Sequence, residues 1–219
     1  MKSFSNKLIL RLLAAAIVAG ALPACAPLVV GGAVVGGMVA TDRRSSGAQL
    51  DDESIELRGA NRIRDAMGSR VRVNLTSYNR QVLLTGETPN EQDRQRVEQV
   101  VAGMDNVRAV VNELVIMDSP NLQQRSADAL VTGKVKASMV DSKDVFANAF
   151  KVVTERGTVY LMGRVTQREA DRATEVTRGV SGVRRVVRIL EIISEDELQR
   201  LQLQPDAAAA PAPAAPPRQ

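Results

Sequence analysis

The chain has 219 residues, a formal net charge of +4, one cysteine, no histidine and only 2% aromatic residues. That length allows one or two small domains. The missing histidine removes the commonest general base, the Ser-His-Asp and Cys-His arrangements and most zinc sites. No P-loop or GxGxxG string occurs, and no basic stripe is interleaved with stacking aromatics. The expectation is a protein that is not an enzyme, needs no cofactor or metal and binds no nucleic acid.

Lys2, Lys7 and Arg11 make a positive start, Leu12 to Ala21 a short apolar run, and Leu22-Pro23-Ala24-Cys25 follow. This order predicts a signal peptide over 1–24, with Cys25 as an acyl acceptor. A spanning helix needs about 20 unbroken apolar residues, and Arg11 and Pro23 interrupt this run. The other reading is an ordinary secretory leader that leaves Cys25 as a spare thiol, a liability in an oxidising compartment. Losing the leader removes three positive charges and leaves +1, so the overall basicity is no argument for a polyanionic partner. Leu22 to Cys25 resemble the lipobox of bacterial lipoproteins, with Pro23 as a departure. The resemblance implies three acyl chains, beyond the roughly two signals needed for stable anchoring. It also implies export to the outer membrane, periplasmic face, because Ala26 stands where aspartate would favour inner-membrane retention.

Residues 25–49 then read as a linker, Gly-rich from 26 to 40 and polar from Thr41 to Gln49. Beyond it the chain repeats itself. VLLTG at 82–86 matches VYLMG at 159–163, and Thr88-Pro89-Asn90-Glu91 matches Thr166-Gln167-Arg168-Glu169. Gly103 to Val107 match Gly179 to Val183, and Val110-Val111 match Val186-Val187. These copies define domains at 50–118 and 126–195. The Ala- and Pro-rich end, 196–219, reads as a disordered tail.

Each copy predicts one order of elements, α-β-β-α-β. The first helices fall at about 52–67 and 127–141, the first strands at Val71 to Ser77 and Phe150 to Thr154. Turns at 78–80 and 155–157 lead to second strands at Gln81 to Glu87 and Thr158 to Val165. Thr88 with Glu91, and Thr166 with Glu169, predict capping boxes for the second helices. Gly103 and Gly179 predict left-handed caps where those helices end. Third strands follow at Ala109 to Met117 and Arg185 to Ile193. The fold class is α+β: two tandem domains, each a three-stranded mixed sheet with both helices on one face.

The glycine frame at Gly86 and Gly163, the string Val165 to Ala170 and the run Val180-Ser181-Gly182-Val183 resemble the BON domain family. Two copies behind a lipobox, with Asp42-Arg43-Arg44-Ser45 and Asp51-Asp52, are similar to the dual-BON outer-membrane lipoproteins of the division- and stress-associated lipid-binding type. The resemblance implies binding of anionic phospholipid, mainly through the second domain, and a part in envelope integrity, with the division site as a suggested location.

The helix wheel points to the same place. Val131, Val135 and Met139 share a core-facing stripe on the first helix of copy two. Leu130, Gly133, Ala137 and Val140 lie roughly opposite, flanked by Lys134 and Lys136. A helix apolar on both sides suits a surface that dips among headgroups while its lysines meet phosphates. The alternative is that Leu130 and Val140 pack against copy one. In copy one the face opposite Ile63 and Met67 carries Arg58, Asn61, Arg62, Arg64 and Asp65, a solvated or partner-contacting surface. Arg184, Arg185 and Arg188 are not expected to be ligands. The expected molecule is a monomer that binds an anionic membrane. The competing function is a periplasmic scaffold recruiting an envelope protein through domain 1.

Overall fold

The computed structural model describes residues 42–117 and 122–203. The expected signal peptide, Cys25, the Gly-rich stretch and the end of the expected tail lie outside the described residues. The first helix, α1 (Ser46–Met67), starts inside the expected linker, because the Ser45 hydroxyl accepts from the Ala48 N–H at 3.2 Å and caps it. Its buried stripe is Ala48, Asp52, Ile55, Gly59, Ile63 and Met67, spaced for one helical face. A hairpin follows, β1 (Arg72–Tyr78) and β2 (Gln81–Thr88), then α2 (Glu91–Ala102), β3 (Ala109–Asn112) and the short β4 (Val115–Ile116). The second domain runs α3 (Leu122–Asp141), a 3-10 turn at Ala147–Ala149, β5 (Phe150–Glu155), β6 (Thr158–Thr166), α4 (Gln167–Arg178) and β7 (Arg185–Ile193). The chain is then helical again at α5 (Glu195–Leu203), where a disordered tail was expected. Leu198 is buried there, which fixes the helix to the domain.

Both sheets are mixed. β1 pairs antiparallel with β2, and β3 and β4 lie parallel to β2. β5 pairs antiparallel with β6, and β7 lies parallel to it. The turn residues Asn79 and Arg80 both have positive φ, 48° and 65°, as do Arg156 and Gly157, 51° and 73°. This is the geometry that matches the twist of a two-residue hairpin. A buried aspartate on the preceding helix holds each turn. Asp52 accepts from the Asn79 and Arg80 N–H groups at 2.7 and 2.8 Å, and Asp128 from those of Arg156 and Gly157 at 2.8 and 2.9 Å. The two aspartates are repeat equivalents; the sequence reading quoted Asp52 without a structural role and did not single out Asp128.

Several local expectations need correction. The capping box forms at Thr166 and Glu169 but not at Thr88. There Asn90 caps α2, accepting from the Asp93 N–H at 2.8 Å, because Thr88 stays in β2, paired with Ile116 of β4. Gly103 and Gly179 have φ of −82° and −73°, so neither is a left-handed cap. The positive φ comes three residues later, at Asn106 and Gly182. The third strand of domain 1 is broken at Glu113-Leu114, where the Leu114 N–H donates to the Asn112 side chain at 3.1 Å.

Three apolar layers hold the fold. In domain 1, Ile55, Ile63, Val82, Leu84, Val97 and Val101 join helices to sheet. In domain 2, Val131, Val135, Met139, Val159, Leu161 and Ala173 do so. The third layer lies between the sheets and joins Tyr78 and Leu83 to Tyr160, Met162 and Ile189. Alternate residues of β2 and β6 thus face opposite cores, as the period of two in a strand requires. The sheets stand back to back, with a helical layer outside each.

Candidate functional site

The inner side of α3 is wholly committed. Val131, Val135 and Met139 are buried against β5, β6 and α4. Its outer side carries Leu130 and Val140, which are 61% and 71% exposed. Neither is sealed beneath domain 1, which sets aside the interdomain alternative. Gly133, Lys134, Lys136 and Ala137 are exposed as well. A side chain at Gly133 would meet nothing within 4 Å, so the middle of the strip is open. At about 100° per residue, Leu130, Gly133, Ala137 and Val140 form one strip with Lys134 and Lys136 on opposite flanks. The Lys134 ammonium reaches the Ser181 hydroxyl at 3.2 Å, a surface hydrogen bond that a stronger acceptor can displace. The six residues singled out in α3 are therefore brought together, while Cys25 lies outside the described residues.

Past the end of α3 the structure adds a residue that the sequence reading did not single out. Phe146 is 42% exposed, and the Arg43 guanidinium lies over its ring, 5.4 Å from the centroid. The same guanidinium donates to both Glu169 carboxylate oxygens at 2.7 Å and to the Arg164 carbonyl at 3.1 Å. Its neighbour Arg44 turns to domain 1, with Asp52 at 2.7 Å and the Tyr78 ring centroid at 4.4 Å. Adjacent arginines thus grip the two domains, and residues 42–45, expected as linker, are part of the fold. The signal was in the string Asp42-Arg43-Arg44, but only tertiary contact assigns the pair its two carboxylates.

Burial pushes the Glu169 carboxyl up, but hydrogen bonds from Arg43 and the Thr166 N–H, with the Arg43 charge, outweigh it and hold the group below its usual range. A carboxylate whose pKa is lower folded than unfolded contributes stability that is complete above the unfolded value, about 4.3. That stability is lost as pH falls through the folded value. Hydrogen exchange over residues 43–50, corrected for intrinsic rate, is expected to stay slow at about pH 5 and to quicken toward about pH 3. In Glu169→Gln it is expected to be fast at both.

The outer face of α1 is mixed as expected, with Asn61, Arg62, Arg64 and Asp65 exposed. It also shows Leu50 and Leu57, 67% and 70% exposed, which the sequence reading did not single out. Arg185 pairs with Glu113 across the domains at 2.9 Å, and Arg188 with Asp171 at 2.8 Å, so neither offers a free cation. Among the described residues no helix is long and apolar enough to cross a membrane, and no cluster of acidic, His or Cys side chains could hold a metal ion.

The profile of the BON domain matches residues 51–118 and 127–193. The chain is 37% identical over 174 residues to the outer membrane lipoprotein DolP of Haemophilus influenzae, an alignment covering 78% of this chain and 90% of that protein. It is 34% identical over 154 residues to a 21 kDa hemolysin of Actinobacillus pleuropneumoniae, covering 69% of this chain and 79% of that protein. Among solved structures, the type III secretion protein CdsD of Chlamydia trachomatis aligns with 66% of this chain at 16% identity and a TM-score of 0.28, an overlap too slight to carry an argument.

Proposed function

This chain belongs to the BON-domain family, among its outer-membrane lipoproteins, and from that premise we propose that acyl chains on Cys25 tether it while the outer face of α3 binds anionic phospholipid, in support of envelope integrity. The observation that carries the reading is the exposure of Leu130 and Val140 on a helix whose other side is already filled. Each lysine beside an anionic leaflet contributes about 1 kcal/mol. Full burial of a leucine or valine contributes about 1.5–3 kcal/mol, and a dip into headgroups captures only part of that. The sum is a few kcal/mol, near millimolar affinity when the domain is free. A tethered domain meets its leaflet at high effective concentration, where such weak contacts suffice. The anchor supplies residence, and α3 supplies the response to lipid composition.

The test is co-sedimentation of the unlipidated Cys25→Ser protein with phosphatidylglycerol and phosphatidylcholine vesicles. Binding is expected to the anionic vesicles alone and to weaken with salt, since exposed charges are screened beyond about 8 Å at physiological ionic strength. Leu130→Glu is expected to lower that binding about tenfold or more while leaving the unfolding midpoint unchanged, because the side chain points outward. Equal binding to both vesicles would refute the reading.

A second reading, a scaffold that recruits an envelope protein through domain 1, is favoured by Leu50 and Leu57, two turns apart on α1. Photo-crosslinking from position 57 in cells tests it: a stoichiometric product lost on Arg62 or Arg64 substitution is its signature.

A further inference from the structure

The polypeptide does not leave the folded part freely on its way back to Cys25. Arg43 lies outside both α-β-β-α-β units, yet its side chain is only 7% exposed and that of Glu169 only 6%. The pair is bidentate, the strongest geometry a guanidinium and a carboxylate can form. Glu169 completes the cap of α4 through the Thr166 N–H at 3.0 Å, independently of Arg43. The ring stacked on the guanidinium belongs to Phe146, five residues beyond the end of α3. Arg44, one residue further, is locked to Asp52 and Tyr78 of the other domain. The outlet of the chain is thereby pinned at the seam of the domains and at the C-terminal end of α3.

We propose that the Arg43–Glu169 clamp sets the orientation in which the anchored molecule meets its own leaflet. By holding the outlet against Phe146, it presents Phe146, Val140 and the strip behind them to the membrane that carries the acyl chains. This rests on the reading of α3 given above and adds Arg43, Glu169 and Phe146 to it. From Cys25 to Asp42 there are 17 residue steps, which span about 60 Å at full stretch and no more. With a tether of bounded length, the side of the molecule that carries the outlet is kept nearer the leaflet, which biases the side that reaches lipid. Without the clamp the outlet is held only through Arg44 to Asp52 and Tyr78 of domain 1, and the bias toward the end of α3 weakens. Phe146 fits the role chemically, because phenylalanine is among the apolar side chains that interfacial segments bury at the headgroup boundary. Lys143 is exposed in the same loop beside the exposed Asp141 and Asp144, so the loop grips through its ring and not through net charge.

The experiment uses full-length lipidated protein in phosphatidylglycerol vesicles. An environment-sensitive fluorophore is placed on Ala137→Cys, the only free thiol once Cys25 is acylated. Arg43→Gln is expected to lower the membrane-inserted fraction of the label at least threefold, Glu169→Gln to reproduce the loss, and Arg43→Lys to fall between. In the unlipidated background the same Arg43→Gln is expected to bind vesicles as its parent does, because orientation matters only to a tethered molecule. Wild-type insertion in the lipidated Arg43→Gln protein would overturn the proposal, as would an equal loss in both backgrounds. Failure of the unlipidated parent to bind anionic vesicles is a different result. It removes the docking reading itself, and the clamp then has no membrane face to set.

Discussion

Gly86→Ala is expected to destabilise the protein by about 4 kcal/mol, at the upper end of what one substitution does. A Cβ at this position would stand 2.0 Å from the Arg72 carbonyl oxygen and 3.3 Å from the Val73 Cα. Both are backbone atoms of β1, paired to β2 across the Val73–Gly86 register, so neither can rotate away. Gly86 also has φ of +120°, a conformation that a side chain makes costly by about 1–3 kcal/mol. Relief requires the β1–β2 ladder to open. The loss spreads, because Leu83 of the same strand belongs to the layer between the sheets. Denaturant titration followed by circular dichroism is expected to show an early transition, with dye binding to newly exposed apolar surface. Gly163→Ala, with its Cβ 2.5 Å from the Ala149 carbonyl oxygen and no positive φ, is expected to cost less.

Glu87→Ala is the second large effect, expected at about 2–3 kcal/mol. Glu87 is 2% exposed and closes a chain of alternating charge across the domain boundary, Arg156–Glu87–Arg72–Glu155. It accepts from Arg156 at 2.5 Å and from Arg72 at 2.6 Å. Removing one partner of a buried pair costs about 3–5 kcal/mol, because a charge is left without its counterion. Here the two guanidiniums keep about a fifth of their surface in water, and screening reduces the figure. Arg72 retains Glu155 at 2.6 Å, whereas Arg156 keeps only the Gly86 carbonyl and the Met117 sulfur. Arg156 belongs to the second domain and Glu87 to the first, so the substitution weakens their junction more than either core. The expected signature is one cooperative unfolding transition splitting into two, read by differential scanning calorimetry.

The repeat made the order of elements legible, because hydrophobic spacing within each unit is a local signal. The stripe Val131, Val135 and Met139 was visible for the same reason, and the structure buries all three. The junction of the domains was present in the sequence in a weaker form. Val82-Leu83-Leu84 and Val159-Tyr160-Leu161-Met162 are unbroken apolar runs, the mark of strands covered on both faces, but a run does not say what covers the second face. The start of α1 was missed because Ser45 has no capping partner until Ala48 folds over it. The cap of α2 was misplaced because Thr88 and Asn90 are both good caps, and pairing with β4 removes Thr88 from the choice. The turn-holding aspartates and the Arg43 clamp join residues 27 to 126 positions apart, and composition carries no trace of such pairings.

Back-to-back sheets give this molecule an underside and a roof. In the docked pose proposed for α3, α1 lies on the opposite side, across both sheets, with its axis roughly 30 Å above the lipid, since sheets stack about 10 Å apart and a helix is about as wide. Leu50 and Leu57 then look out over the periplasm. On that proposal, lipid contact through α3 and any protein contact through the exposed Leu50 and Leu57 use separate surfaces and do not compete. The proposed docking would then turn a patch of particular headgroups into a raised marker that neighbours could find without touching the bilayer.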